Sequence, residues 1–270
     1  MTTLPKIIDC FIFYNEIELL TYRLNVLNDV VDFFVIVEST HTFTGKAKGL
    51  HYQENKHMFT QFHHKIIHVI VEDFPYKFPN VNFHNKNQWT NEYFQRDAIS
   101  RGLCLISDLK DDDLFIISDL DEIPDPSTLR AIVNGTIKVD INSLCMDLYY
   151  YNLNTKIQEP WVAAKIITNK KYKELKLPCN TIRNLDSPVI QYGGWHLSYF
   201  GDSRFIQNKI MNFSHQELNL TCFTDLSKID KRVNDCLDLY DRNIPPKRTK
   251  ICDNPYLPLQ YETYLEKFFT

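Results

Sequence analysis

Two aspartates one residue apart, Asp119 and Asp121, end an apolar run in the segment FIISDLDEIPDP, Phe115 to Pro126. In extended backbone, alternate residues point the same way, so both carboxylates leave the strand on one side. Paired hard oxygen ligands suit Mg²⁺ or Mn²⁺, which prefer oxygen and keep several waters or phosphates. Such a cation can bridge a nucleotide diphosphate and neutralise charge on it as a leaving group. The bland alternative is that the acids cap a turn ahead of Pro124 and Pro126, where Asp is common. The apolar strand in front and Glu122 behind favour the metal reading.

A second cluster lies in YGGWHLSYFGD, Tyr192 to Asp202, which holds three of the chain's seven glycines. Glycine at that density implies tight backbone or close ligand approach. Trp195, Tyr199 and Phe200 offer flat faces for a sugar or base, and His196 is a candidate metal ligand or phosphate donor. Farther on, FSHQEL carries Glu217, which with Asp202 is a candidate general base. The helical segment WTNEYFQRD, Trp89 to Asp97, gathers Asn91, Glu92, Arg96 and Asp97 on its polar side. Lys46 and Lys48 stand in a loop and could reach a diphosphate. His57, His63, His64 and His68 lack the spacing and partners of a zinc site.

Glycine is scarce, 7 in 270 residues, and neither GxGxxG nor GxxxxGK[ST] occurs, so a bound phosphate needs a grip other than a glycine loop. A net charge of −4 gives no general electrostatic reason to bind nucleic acid. The seven cysteines are scattered without a CxxC pair, which reads as reduced thiols in a cytosolic setting. No run approaches the roughly 20 apolar residues of a membrane span, and no signal-peptide pattern opens the chain. The expectation is a soluble, cytoplasmic protein.

These candidates hang on a recognisable set of elements. Ile7 to Phe13, Phe33 to Val37, Ile66 to Val71 and Leu114 to Ile117 are short, nearly continuous apolar runs, the mark of strands buried on both faces. Ile17, Leu20, Leu24 and Leu27 trace one helix face, and Phe94, Ala98, Ile99, Leu103 and Ile106 predict a long helix. Strand and helix in alternation predict an α/β fold with a mainly parallel central sheet flanked by helices. Ligands of such sheets sit beyond the strands' carboxyl ends, here Tyr14-Asn15-Glu16, Glu38-Ser39-Thr40, Glu72-Asp73 and Ser118 to Glu122. Later strands are predicted at Ser143 to Leu153 and Trp161 to Thr168, and helices at Ser203 to Phe213 and Ser227 to Tyr240. The tail from Ile244 reads as extended chain over the body. Without linker or repeat, the chain is a single domain of two functional halves, residues 1–123 for the nucleotide and metal and 124–270 for the acceptor.

Three stretches then carry a resemblance: DCFIFYNEIELLTYRLNVLNDVVDFFVIVESTHTFTGKAKGL (Asp9 to Leu50), DDLFIISDLDEIP (Asp112 to Pro124) and GGWHLSYF (Gly193 to Phe200). In order and spacing the sequence resembles the family 17 glycosyltransferases, the group that adds bisecting N-acetylglucosamine. The resemblance implies a GT-A type fold, a UDP-sugar donor (UDP-GlcNAc in the known activity), a divalent cation and inversion at the anomeric carbon. It implies that Asp121 binds the metal, with Asp119 on the donor ribose or the metal's waters. It also implies Glu16 and Glu38 at the nucleotide edge, Arg96 and Asp97 on the donor-side helix, and His196 close to the diphosphate. Asn15 at the same strand end, Lys46 in the loop and Trp195 with its flat face join them as donor-binding candidates, and His196 as a metal candidate, on the reading of the residues alone. Eukaryotic members carry a membrane anchor and stem, whereas this sequence looks like a soluble bacterial or viral form acting on a glycan or glycoconjugate. Two other functions share these residues: a metal-dependent nucleotidyl or phosphoryl transferase, whose product would be pyrophosphate, and a non-catalytic carbohydrate-binding module.

Overall fold

The computed structural model describes residues 4–242 and 246–269. The four apolar runs form strands β1 (Ile7–Phe13), β2 (Phe33–Ser39), β3 (Ile66–Val71) and β4 (Leu114–Asp119), hydrogen-bonded in parallel in the order β4-β1-β2-β3. The remaining strands are β5 (Glu122–Pro124), β6 (Ile141–Tyr150), β7 (Thr155–Lys156), β8 (Lys165–Thr168), β9 (Val189–Ser198) and β10 (Lys247–Arg248). They extend the same sheet with mixed pairing. β8 runs antiparallel between β4 and β6, whereas β9 is parallel to β6 and antiparallel to β5. The sheet is therefore mixed, with four parallel strands from the first half and a further parallel pair, β6 and β9, in the second.

Helices cover both faces: α1 (Ile17–Leu27), α2 (His51–Asn55), α3 (Asn87–Asp97), α4 (Ile99–Leu103), α5 (Pro126–Val133), α6 (Asn169–Leu175), α7 (Cys179–Arg183) and α8 (Ser203–Asn212). The helix predicted as continuous through Phe94 to Ile106 is broken at Ala98 into α3 and α4. The one predicted over Ser227 to Tyr240 stops at Asn234. Helix α3 buries a polar face, and its amides serve as connectors. Asn91 donates to the carbonyls of Phe43 and Tyr76, and Gln95 to those of Phe13 and Val37, where β1 and β2 end. Buried backbone carbonyls that no strand reaches are satisfied this way.

Alternation along β9 decides the fate of its aromatic cluster. Trp195 and Leu197 point into the core while His196 points to the opposite face; Trp195 is 1% exposed and packs against Tyr256, ring centroids 4.9 Å apart. The glycines before it serve backbone approach. A Cβ on Gly194, whose φ is +140°, would stand 2.0 Å from the Ile123 carbonyl oxygen, so only glycine lets β5 come this close. The tail from Ile244, whose first residues lie outside the described ones, is more than a cover: Leu265 and Phe268 are buried in the main core. No helix among the described residues is long and apolar enough to cross a membrane.

Candidate active site

Beneath the turn that follows β4 lies a charge that the apolar elements conceal. Arg23 of α1 and Asp9 of β1 are both fully buried and joined by two hydrogen bonds of 2.8 and 2.6 Å. The same guanidinium donates to Ser118 Oγ and to the carbonyls of Asp119, Leu120 and Glu122, at 2.7 to 2.9 Å. Arg23 thus fixes the path of the chain through the acidic turn, and an ion pair so enclosed persists because every donor finds an acceptor.

Above that turn a cleft of about 470 Å³ opens at the carboxyl ends of β1, β2 and β4, where ligands of such sheets bind. Asp119 and Asp121 both line it, but different cations hold them. Arg96 donates to Oδ1 of Asp119 at 2.9 Å and Arg183 to Oδ2 at 3.0 Å. Lys209 of α8 donates to Asp121 at 2.8 Å, and His196 Nε2 stands 3.4 Å from its other oxygen. Burial would raise both carboxyl groups; Arg183 and Arg96 hold Asp119 below its ordinary value, and Lys209 and His196 hold Asp121 well below it. Glu122, fully buried, binds Arg183 through both oxygens at 2.8 and 2.5 Å and accepts from the Trp161 indole. The Trp161 ring in turn lies 4.6 Å from that of His196.

Glu16 also faces Lys209, at 3.4 Å. Its other oxygen accepts from the Asn15 backbone amide at 3.1 Å, while the Asn15 side-chain oxygen is buried without a partner. His196 Nδ1 and Arg96 Nε are likewise buried and unpartnered. Orphaned polar atoms of this kind at a cleft invite a ligand.

Several sequence candidates lie elsewhere. Glu217 is exposed on a surface turn, paired with His215 at 2.6 Å, and Asp202 is the exposed N-cap of α8, accepting from Phe205 N at 2.8 Å. Neither lines the cleft, because a carboxylate spent on a helix cap or a surface pair has no reason to turn inward. Lys46 is exposed outside the cleft; Lys48, two residues on, lines it. Glu38 is buried beneath α2, accepting from Tyr52 N and facing His68 at 3.0 Å, so it braces β2 from inside. Asp97 accepts from Asn180 N at 2.8 Å and so locates α7. Trp195 is replaced at the cleft by Trp161. Arg183, Lys209 and Trp161 were not marked by any motif.

The donor set bears on a metal as follows. Asp119 has each oxygen on a guanidinium, so a cation there would share its carboxylate with Arg96 and Arg183. Asp121 and His196 fit one, provided that Lys209 releases the carboxylate, since Mg²⁺ and Mn²⁺ take few protein ligands when a diphosphate supplies the others. Among the described residues no group of three or more His, Cys, Asp and Glu side chains is gathered for a metal ion.

Residues 1–249 match glycosyltransferase family 17. The chain belongs to that family. It is 32% identical, over 122 residues, to the beta-1,4-mannosyl-glycoprotein 4-beta-N-acetylglucosaminyltransferases of Rattus norvegicus and Homo sapiens. That stretch is 44% of this chain and 22% of each relative, so the chain matches about a fifth of their length.

Proposed function

We propose that this family member is an inverting glycosyltransferase of GT-A type that moves N-acetylglucosamine from a UDP-sugar to a hydroxyl of a glycan or glycoconjugate. The observation that carries this reading is the gathering of Arg96, Arg183 and Lys209 around the acidic turn at the sheet's carboxyl edge. Three cations in a largely enclosed cleft are suited to a diphosphate, and fixed donors aimed at developing charge are worth more there than in water. Both parts of the chain build the donor side: residues 1–123 supply Glu16, Arg96, Asp119 and Asp121, and residues 124–270 supply Arg183, His196 and Lys209.

In the reaction the acceptor oxygen forms a bond to the anomeric carbon as the bond from that carbon to the diphosphate oxygen breaks. UDP leaves with the electron pair, and the acceptor's proton passes to a carboxylate. Asp119 and Asp121 are engaged by cations, and both oxygens of Glu92 are taken by Arg96 and Ser214. Glu16 is the cleft carboxylate to which no cationic side chain donates a hydrogen bond, Lys209 standing 3.4 Å off, so we assign the base to it. Arg96 and Arg183 bind the diphosphate and, through Asp119, keep the turn in place. Asp121 with His196 would hold Mn²⁺ or Mg²⁺, which supplies further neutralisation of the departing diphosphate.

UDP-GlcNAc is expected to raise the melting temperature by mass action, and turnover with a glycan acceptor to release UDP. Glu16→Gln should lower kcat by about 10²–10⁴-fold while leaving the donor-induced thermal shift in place. Release of pyrophosphate instead of UDP, or no shift with UDP-, GDP- or dTDP-sugars, would overturn the assignment.

A further inference from the structure

Beside the cleft, where α3 begins, a second hollow of about 950 Å³ is lined by Phe83, Gln88, Trp89, Tyr93, Glu217 and Asn219, among others. Trp89 and Tyr93 border both spaces, so the hollow runs on from the cleft. They stand one helical turn apart with ring centroids at 6.1 Å. Phe83 is 46% and Tyr93 41% exposed, an unusual amount of aromatic face to leave in water beside a cleft. Between them Gln88, 3% exposed, holds its amide oxygen buried with no partner. A buried, neutral acceptor without a donor is costly unless a ligand provides one.

We infer that this hollow is an extended acceptor groove for a neutral oligosaccharide, which reaches the cleft past Trp89 and Tyr93. The role of the ligand as acceptor rests on the glycosyltransferase reading; the groove itself does not. Aromatic faces take the apolar faces of pyranose rings, and the Gln88 oxygen takes a sugar hydroxyl. The Gln88 oxygen is a neutral acceptor, the hollow's charged lining, Lys86 and Glu217, carries one of each sign, and two aromatic rings at helical spacing meet successive rings of a glycan. The groove therefore selects for acceptor chains longer than a single sugar.

The test titrates the whole chain by ligand-detected NMR with neutral oligosaccharides of one, three and five pyranose units, built from mannose and N-acetylglucosamine, and with a short uncharged peptide. Thermal shift with UDP-GlcNAc runs in parallel. The three- and five-unit glycans are expected to bind and the monosaccharides not. Phe83→Ala and Gln88→Leu should each weaken binding by about five- to tenfold, with the UDP-GlcNAc shift unchanged. Gln88→Leu should leave the melting temperature unchanged or higher, since it removes an orphaned polar atom, which separates lost recognition from lost folding. Unaltered glycan affinity in both variants, no glycan binding, or binding of the peptide in place of the glycans overturns the groove. Glycan binding that is lost in the variants, with no UDP-sugar shift in the parent protein, overturns the proposed function and leaves the groove standing.

Discussion

Two cationic centres lie on opposite sides of one turn, and they behave differently because of what they bind. The inner one, Arg23, is fully buried and gives its protons to a strand carboxylate, a serine and three backbone carbonyls. Those acceptors are fixed by the fold, so this cation determines shape. The outer centre, Arg96, Arg183 and Lys209, lines the cleft and binds side-chain carboxylates. Side chains can be exchanged for phosphate oxygens without unmaking a strand, so those cations are available to a ligand. Chemically alike groups on the two sides of one turn are thus divided between folding and function by the kind of acceptor they meet.

The contrast can be broken most severely from inside. Arg23→Met leaves Asp9 as an uncompensated buried charge and should cost about 3–5 kcal/mol of stability in urea unfolding. Asp9→Leu added to it should recover part of the loss. On the outer side, Lys209→Met leaves Asp121 with the His196 ring as its remaining close partner and should cost about 1–2 kcal/mol, with donor affinity reduced about tenfold when followed by UDP-GlcNAc titration. A loss as large as that of Arg23→Met would erase the distinction between the centres.

Acid titration sharpens it further. Burial raises the Asp121 carboxyl and Lys209 with His196 lowers it by more, so its folded pKa lies below its unfolded value. Its contribution is present in full above about pH 4 and is lost as the pH falls through the folded pKa. Lys209→Met should flatten the fall in melting temperature below that pH. The smallest structural effect is expected from chelation: EDTA should stop transfer while leaving the melting temperature of the ligand-free protein unchanged. Transfer that survives EDTA would give the neutralising role to Lys209, Arg96 and Arg183.

The strands were legible because doubly covered strands must be apolar throughout; β1 and β3 fall where the runs predict and β2 and β4 extend each by two residues. The acidic turn was legible for the same reason, since Asp119 and Asp121 stop such a run. Arg23 left a signal that could have been followed. It falls on the apolar stripe Leu20, Leu24, Leu27 of α1, and Asp9 interrupts the most buried strand, so two opposite charges in apolar settings call for each other. Strand parity could also have sent Trp195 to the core once His196 was given to the site. Arg183 and Lys209 carried no such mark. They come to Asp119 and Asp121 from 64 and 88 residues away, by packing of α7 and α8 that no local pattern records. Asp202 and Glu217 misled because a helix cap and a surface pair look, in one dimension, like catalytic acids.

Because a guanidinium from below already grips three peptide oxygens of the loop, a ligand entering the cleft meets a floor that has been set in advance. The rearrangement left for it is confined to a few long side chains, so little ordering entropy remains to be spent on association. A ligand there can be held without reordering the backbone beneath it.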